Sequence, residues 1–182
     1  MPNVVPDVLK YGPMPTEFGE PDSTAIWSDA AVWVPWAMWQ AYGDRRVLDD
    51  QFDSMTGHAR RVRGKLSPAG LWDTGVQFGD WLDPDAAPDE PWAAKADAHA
   101  VAALCAFRTA TLVAAAAEVL GDDTAAVGFR AMADAVRAGF TEHYLTSAVI
   151  HSDCTTVYTL AIVFGIRSPQ NLICKVFASG IA

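Results

Sequence analysis

Residues 28–66 read SDAAVWVPWAMWQAYGDRRVLDDQFDSMTGHARRVRGKL, and the two halves of this stretch are patterned differently. From Ala30 to Tyr42 apolar residues occupy nearly every position. A helix that is apolar all round is one buried all round. Ser28 or Asp29 starts it, Ser28 as an N-cap and Asp29 as a first-turn acid favoured by the helix dipole. Pro35 predicts a kink, because it removes one backbone hydrogen bond, and Gly43 ends the helix as a C′ residue. Beyond Asp44, read as the next cap, the pattern changes. Leu48, Phe52, Met55, Ala59, Val62 and Leu66 recur at alternating spacings of four and three, opposite Arg46, Asp49, Asp50, Asp53, Arg60, Arg61 and Arg63. That is an amphipathic helix with one face on a core and one in water. A buried helix joined to an amphipathic one by a short Gly-Asp turn is a helical hairpin.

The pair repeats downstream. Ala93 to Leu120 is again nearly all apolar and closes at Gly121. Asp122 or Asp123 caps the next helix, whose stripe of Phe129, Met132, Val136 and Phe140 lies opposite Asp134, Arg137 and Glu142. Ser152 or Asp153 then caps a third apolar helix over Thr155 to Phe164. The order inner, outer, inner, outer, inner predicts an all-α fold, either a closed ring of hairpins or a solenoid. A solenoid shows sequence similarity between its repeats. These hairpins share none and differ in connection length, which favours the ring.

The flanks differ from this body. Residues 1–23 carry Pro2, Pro6, Pro13, Pro15 and Pro21 and read as an extended lead-in segment. Residues 24–166 form the helical body. Residues 167–182 contain no acidic residue and change vocabulary. They read either as a non-native, out-of-frame end or as an ordinary hydrophobic strand or helix start.

A net charge of −9 argues against nucleic acid or an anionic membrane surface as partner. No apolar run reads as long and uninterrupted enough for a membrane span. The three cysteines, Cys105, Cys154 and Cys174, make no disulfide framework and no metal-ligand spacing. With no signal peptide at the start, the localisation expected is cytoplasmic. His58, placed on the outer helix, and His99, near Asp97, form no His-x-x-x-His pair, so neither metal nor cofactor is expected. No phosphate-binding or nucleophile-elbow motif occurs. The sequence is silent on oligomeric state.

The chemistry concentrates in the long connection from Gly70 to Trp92, GLWDTGVQFGDWLDPDAAPDEPW. Trp72, Trp81 and Trp92 stand among carboxylates there, with Gly75 and Gly79 freeing the backbone. Loops longer than about 12–15 residues are usually functional or disordered, and disordered segments are poor in aromatics. Aromatic faces beside carboxylates suit a neutral, hydroxyl-rich ligand: the apolar face of a sugar stacks on Trp, and its hydroxyls donate to the acceptors. Gly79 permits a positive φ that would aim Asp80 and Trp81 at one point. Asp83, Asp85, Asp89, Asp73 and Glu90 are alternatives, and those beside prolines also serve as turn formers. All seven Trp lie between Trp27 and Trp92. Trp33, Trp36 and Trp39 sit at helical spacing and read as core. Trp27, just before the first helix, reads equally as platform or core. Inner helices of a ring start at the same end, so Asp29, Asp80 and Asp97 are expected to converge.

WSDAAVWVPWAMWQAYGDRRVLDDQF, then FGDWLDPD, then AAKADAHAVA, resemble the catalytic domain of bacterial α-L-rhamnosidases, glycoside hydrolase family 78. VVPDV near the start and SDCTTVYTLAIVFG near the end extend the resemblance over about residues 3 to 166. It implies part of an (α/α)6 barrel of six hairpins, with about five of its helices present. It also implies a rhamnose-containing glycoside as substrate and inverting hydrolysis between two acidic groups, which in such enzymes stand roughly 6.5–9.5 Å apart. By motif, Trp27 and Trp81 match tryptophans lining the sugar pocket, and Asp29 and Asp80 match acidic positions beside them. Ser28 stands where the family often has Gly. The family's general acid is a Glu in an Asp-Glu-Arg element and its general base a Glu in a Trp-Glu element. Neither occurs in this sequence. The chain therefore reads as an internal fragment that carries pocket wall, has no catalytic residue of its own, and is inactive alone and hard to keep in solution. The other readings are a different six-hairpin glycosidase, glucosidase- or trehalase-like, and a non-enzymatic α-helical binding module.

Overall fold

The computed structural model describes residues 23–80, 86–90, 93–147, 149–152 and 154–166. The lead-in before residue 23, the tail from residue 167, and Trp81, Asp83, Asp85 and Trp92 of the long connection lie outside them. Five helices carry the fold: α1 (Ala30–Tyr42), α2 (Arg46–Arg63), α3 (Ala98–Leu120), α4 (Asp123–Tyr144) and α5 (Thr155–Val163). Between α4 and α5 the chain makes a short antiparallel ribbon, β1 (Leu145–Thr146) against β2 (Val149–Ile150). The sequence pattern did not announce this ribbon. It is held by the Tyr158 hydroxyl donating to the Ile150 carbonyl at 3.0 Å.

The central element is α3, which packs against α1, α2, α4 and α5. Alanine dominates its sequence, and residues on every face from Ala100 to Ala117 are buried. Small side chains all round let several helices approach one axis closely. By length and composition α3 could cross a membrane, contrary to the reading of the sequence. Yet 83% of its most apolar stretch is buried inside the fold, as in a core helix. The amphipathic helices pack as their stripes predict. Leu48, Met55, Ala59 and Val62 of α2 are buried, as are Phe129, Met132, Val136 and Phe140 of α4.

The ends of α3 are defined by chemistry. Asp97 caps it, its Oδ1 accepting the His99 and Ala100 N–H groups at 2.8 and 3.1 Å. The helix therefore starts at Ala98 and not at Ala93. Gly121 closes it at φ 81°, and the Arg45 guanidinium, entering α2, donates to the free Leu120 carbonyl at 3.1 Å. Asp122 caps α4 through the Ala125 N–H. The cap position of α2 is Arg45 and not Asp44, although the Asp44 carboxylate, one residue earlier, accepts the Arg46 N–H at 3.0 Å.

Two expectations about α1 change. Ser28 does not cap it, because its hydroxyl donates back to the Thr24 carbonyl. Nor is α1 buried all round. Val32 and Pro35 are enclosed, but Val34, Met38 and Tyr42 are 53%, 43% and 79% exposed. The helix runs on through Pro35. One face of an inner helix is therefore bare.

Candidate functional site

The long connection is anchored at its start by close backbone packing. Gly70 adopts φ 77°, and a Cβ there would lie 2.8 Å from the Ala135 carbonyl oxygen. A Cβ on Gly139 would lie 2.1 Å from the Ala69 carbonyl oxygen. This clamp on α4 seats Leu71 and Trp72 in the core, both at most 2% exposed. Trp72 is thus an anchor for the connection and not a ligand platform. Its indole N–H has no partner among the described residues.

Further on, residues 77–80 run across the N-terminal ends of all three inner helices. The Gln77 side-chain oxygen accepts the Ala25 N–H at 2.8 Å, beside the start of α1. Phe78 packs against Trp27 with ring centroids 5.4 Å apart. Gly79, at φ 59°, lies so close to Ala98 at the start of α3 that a Cβ would stand 3.0 Å away. Asp80 Oδ2 accepts the Thr156 hydroxyl at 2.6 Å in the first turn of α5, with the Cys154 sulfur at 4.0 Å. The positive φ foreseen at Gly79 is what delivers Asp80 to α5.

Three of the four residues singled out by motif are described, and the fold treats each differently. Trp27 stands at the surface, 47% exposed, just before the start of α1. Asp80 is half-buried and, among the described residues, only its Oδ2 has partners. Asp29 is wholly buried and both its oxygens are occupied. Its Oδ2 accepts the Ile26 N–H at 2.8 Å. Its Oδ1 accepts the Thr109 hydroxyl at 2.7 Å and faces His58 Nε2 at 3.0 Å. Trp81 lies outside the described residues. Asp97 sits at the same end but is engaged as the α3 cap. The three carboxylates thus share an end of the fold, each with its own partners.

Sequence reasoning missed His58, Thr109, Gln77 and Thr156. His58 lies on the outer helix α2, yet it is 2% exposed. It lies three residues after Met55 and four before Val62, both buried on α2, and that spacing was the available signal. Thr109 is a hydroxyl within an otherwise apolar inner helix, the kind of position that needs a buried partner. Trp33 Nε1 donates to it at 3.0 Å, so the hydroxyl hydrogen is left for Asp29. Nothing in the sequence marked Gln77 or Thr156. Burial pushes the Cys105 thiol well above its ordinary range, and the nearby Asp29 adds to this, which makes it a packing residue and not a nucleophile.

Residues 1–179 match the family model described as the bacterial alpha-L-rhamnosidase six-hairpin glycosidase domain. An alpha-L-rhamnosidase from Streptomyces avermitilis is 33% identical over 147 residues, covering 78% of this chain and 13% of that protein. The solved structure of the Streptomyces avermitilis enzyme complexed with L-rhamnose superposes with a TM-score of 0.68 at 29% identity, over 81% of this chain and 13% of that one. The native enzyme from Aspergillus terreus gives a TM-score of 0.73 at 23% identity, over 84% of this chain and 18% of that one, and shows the fold alone. The chain spans less than a fifth of the length of each. With its alternating hairpins, the bridged inner-helix ends and this match over nearly its whole length, the chain belongs to the bacterial α-L-rhamnosidase six-hairpin glycosidase family.

Proposed function

We propose that this chain supplies one wall of the sugar pocket of an enzyme that removes terminal α-L-rhamnose from glycosides by inverting hydrolysis. The observation that carries this reading is the 77–80 segment, which joins the exposed Trp27 ring and the Asp80 carboxylate at one end of the inner helices. An indole face and a carboxylate oxygen without a partner among the described residues are two contacts that suit a deoxy sugar. Its apolar face stacks on the ring, and a hydroxyl donates to the oxygen. Trp81 completes the wall by motif. Asp29 supports it from beneath and does not touch sugar.

The chain holds the sugar and does not cleave it. Neither glutamate-bearing element of the family occurs in its sequence. Among the described glutamates, Glu118 pairs with Arg130, and Glu90 and Glu142 are exposed. Calorimetric titration of the purified chain with L-rhamnose and with D-glucose tests the wall. Binding of L-rhamnose that is lost in Trp27→Ala supports it. Equal affinity for both sugars, or no dependence on Trp27, counts against it. Release of aglycone from an aryl rhamnoside by the chain alone would overturn the non-catalytic assignment.

A further inference from the structure

Trp27 is presented by a backbone that an isolated chain would avoid. Ile26 has φ 70°, and the Trp27 N–H donates to the Ala25 carbonyl two residues back at 2.9 Å. An i to i+2 hydrogen bond around a central residue of positive φ is the rare, strained form of γ-turn. A β-branched residue is poorly suited to it. Such strain persists only where the surroundings over-determine the conformation, and it tends to sit at functional sites. The determining contacts are identifiable. The Ile26 N–H is held by Asp29 Oδ2 at 2.8 Å, and the Ala25 N–H by Gln77 at 2.8 Å. Asp29 is fixed in turn through its other oxygen, by Thr109 from α3 and His58 from α2. Thr109 has a single hydroxyl hydrogen, and the Trp33 indole, which can only donate, directs that hydrogen to Asp29.

We propose that Thr109 and His58 are positioning residues for Trp27, acting through Asp29 to hold the strained turn that aims the ring. A buried carboxylate with its donors adds little net stability compared with apolar packing of the same volume. His58 Nδ1 has no partner among the described residues, but both oxygens of Asp29 are held from several directions, and such directional contacts specify one geometry. Three helices meet on this one carboxylate, and its second oxygen ends on the turn that carries the exposed indole. The network thus transmits the α1–α2–α3 arrangement to the pocket wall. The proposal rests on Trp27 belonging to that wall.

The test uses the 182-residue chain labelled with 5-fluorotryptophan and read by fluorine NMR in dilute solution. The Trp27 line is assigned by its loss in Trp27→Phe. Thr109→Val keeps the shape of the side chain and removes its hydroxyl. It should shift or broaden the Trp27 line, leave the lines other than those of Trp27 and Trp33 in place, and weaken L-rhamnose binding about tenfold or more. Thr109→Ser should restore both the line and the affinity. A folded Thr109→Val chain with the Trp27 line unmoved overturns the proposal. Should that variant lose its helical circular dichroism, His58→Leu reads the same network from α2, and an unmoved Trp27 line there overturns it equally. If L-rhamnose does not move the wild-type Trp27 line, the sugar-wall reading fails. The sugar-free line in the variants still decides the positioning.

Discussion

Ile26 is the residue at which the structure departs furthest from what the chain would adopt by itself. A left-handed φ costs a non-glycine residue roughly 1–2 kcal/mol. Glycine pays no such steric cost but gives back about 0.5–1 kcal/mol in extra freedom of the unfolded chain. Ile26→Gly should therefore raise stability by up to about 1 kcal/mol, a few degrees in Tm for a domain of this size. A thermal melt followed by circular dichroism checks this. A lower Tm would mean that the 41% exposed Ile26 side chain packs more usefully than its exposure suggests. Tyr144 offers a second measurement. Burial, with Asp97 and Asp73 nearby, pushes its phenol up to about 12. The unfolded phenol ionises nearer pH 10, so the folded state favours the protonated form. The stability this contributes is intact below pH 10 and is lost as pH rises towards 12. Ultraviolet titration should show a late phenolate component that disappears in Tyr144→Phe. If the variant and the parent titrate alike, Tyr144 is solvated as an ordinary tyrosine.

At the scale of elements, the connection between α2 and α3 is ordered by contacts too close for side chains. The Ala69 carbonyl rests where a Cβ of residue 139 would be, 2.1 Å away, and the obstacle is backbone. Gly139→Ala must therefore move α4 or the connection. Overpacking of this kind costs about 1–3 kcal/mol, occasionally more. Chemical denaturation should show that loss, along with weaker burial of Trp72. An unchanged midpoint would show that the connection slides freely over α4. Helix ends were legible where a side chain makes the hydrogen bond locally, as at Asp122, or where glycine supplies the left-handed residue, as at Gly43 and Gly121. Ser28 misled because its hydroxyl has a nearer acceptor in the preceding turn at Thr24. Composition could not reveal that.

At the scale of the whole molecule, the bare face of α1 sets the solution behaviour. Val34, Met38 and Tyr42 lie on an apolar helix with no cover among the described residues. Exposed apolar patches of this sort drive association. The chain should self-associate as concentration rises, and Val34→Lys with Met38→Lys should shift sedimentation towards monomer without loss of helicity. A concentration-independent monomer for the parent chain would show that α1 is adequately solvated. The family match and the alternation of inner and outer helices agree on the architecture. The chain therefore presents an arc of a six-hairpin barrel, whose first inner helix carries an apolar face that the described residues leave exposed.

The sequence by itself determined the helices, their inner or outer character and the family, because periodicity, caps and contiguous motifs are properties of neighbours along the chain. It also singled out Trp27 and Asp80. Only the tertiary structure decided which contacts such residues make. Asp29 and Asp80 carry the same chemistry in similar local contexts. One is enclosed by Thr109, His58 and the Ile26 N–H, and the other has an oxygen without a partner among the described residues beside α5. Whether a carboxylate holds a ligand or holds the fold depends on which partners reach it. The side-chain partners come from 29 to 80 residues away in the chain, where no local pattern can announce them.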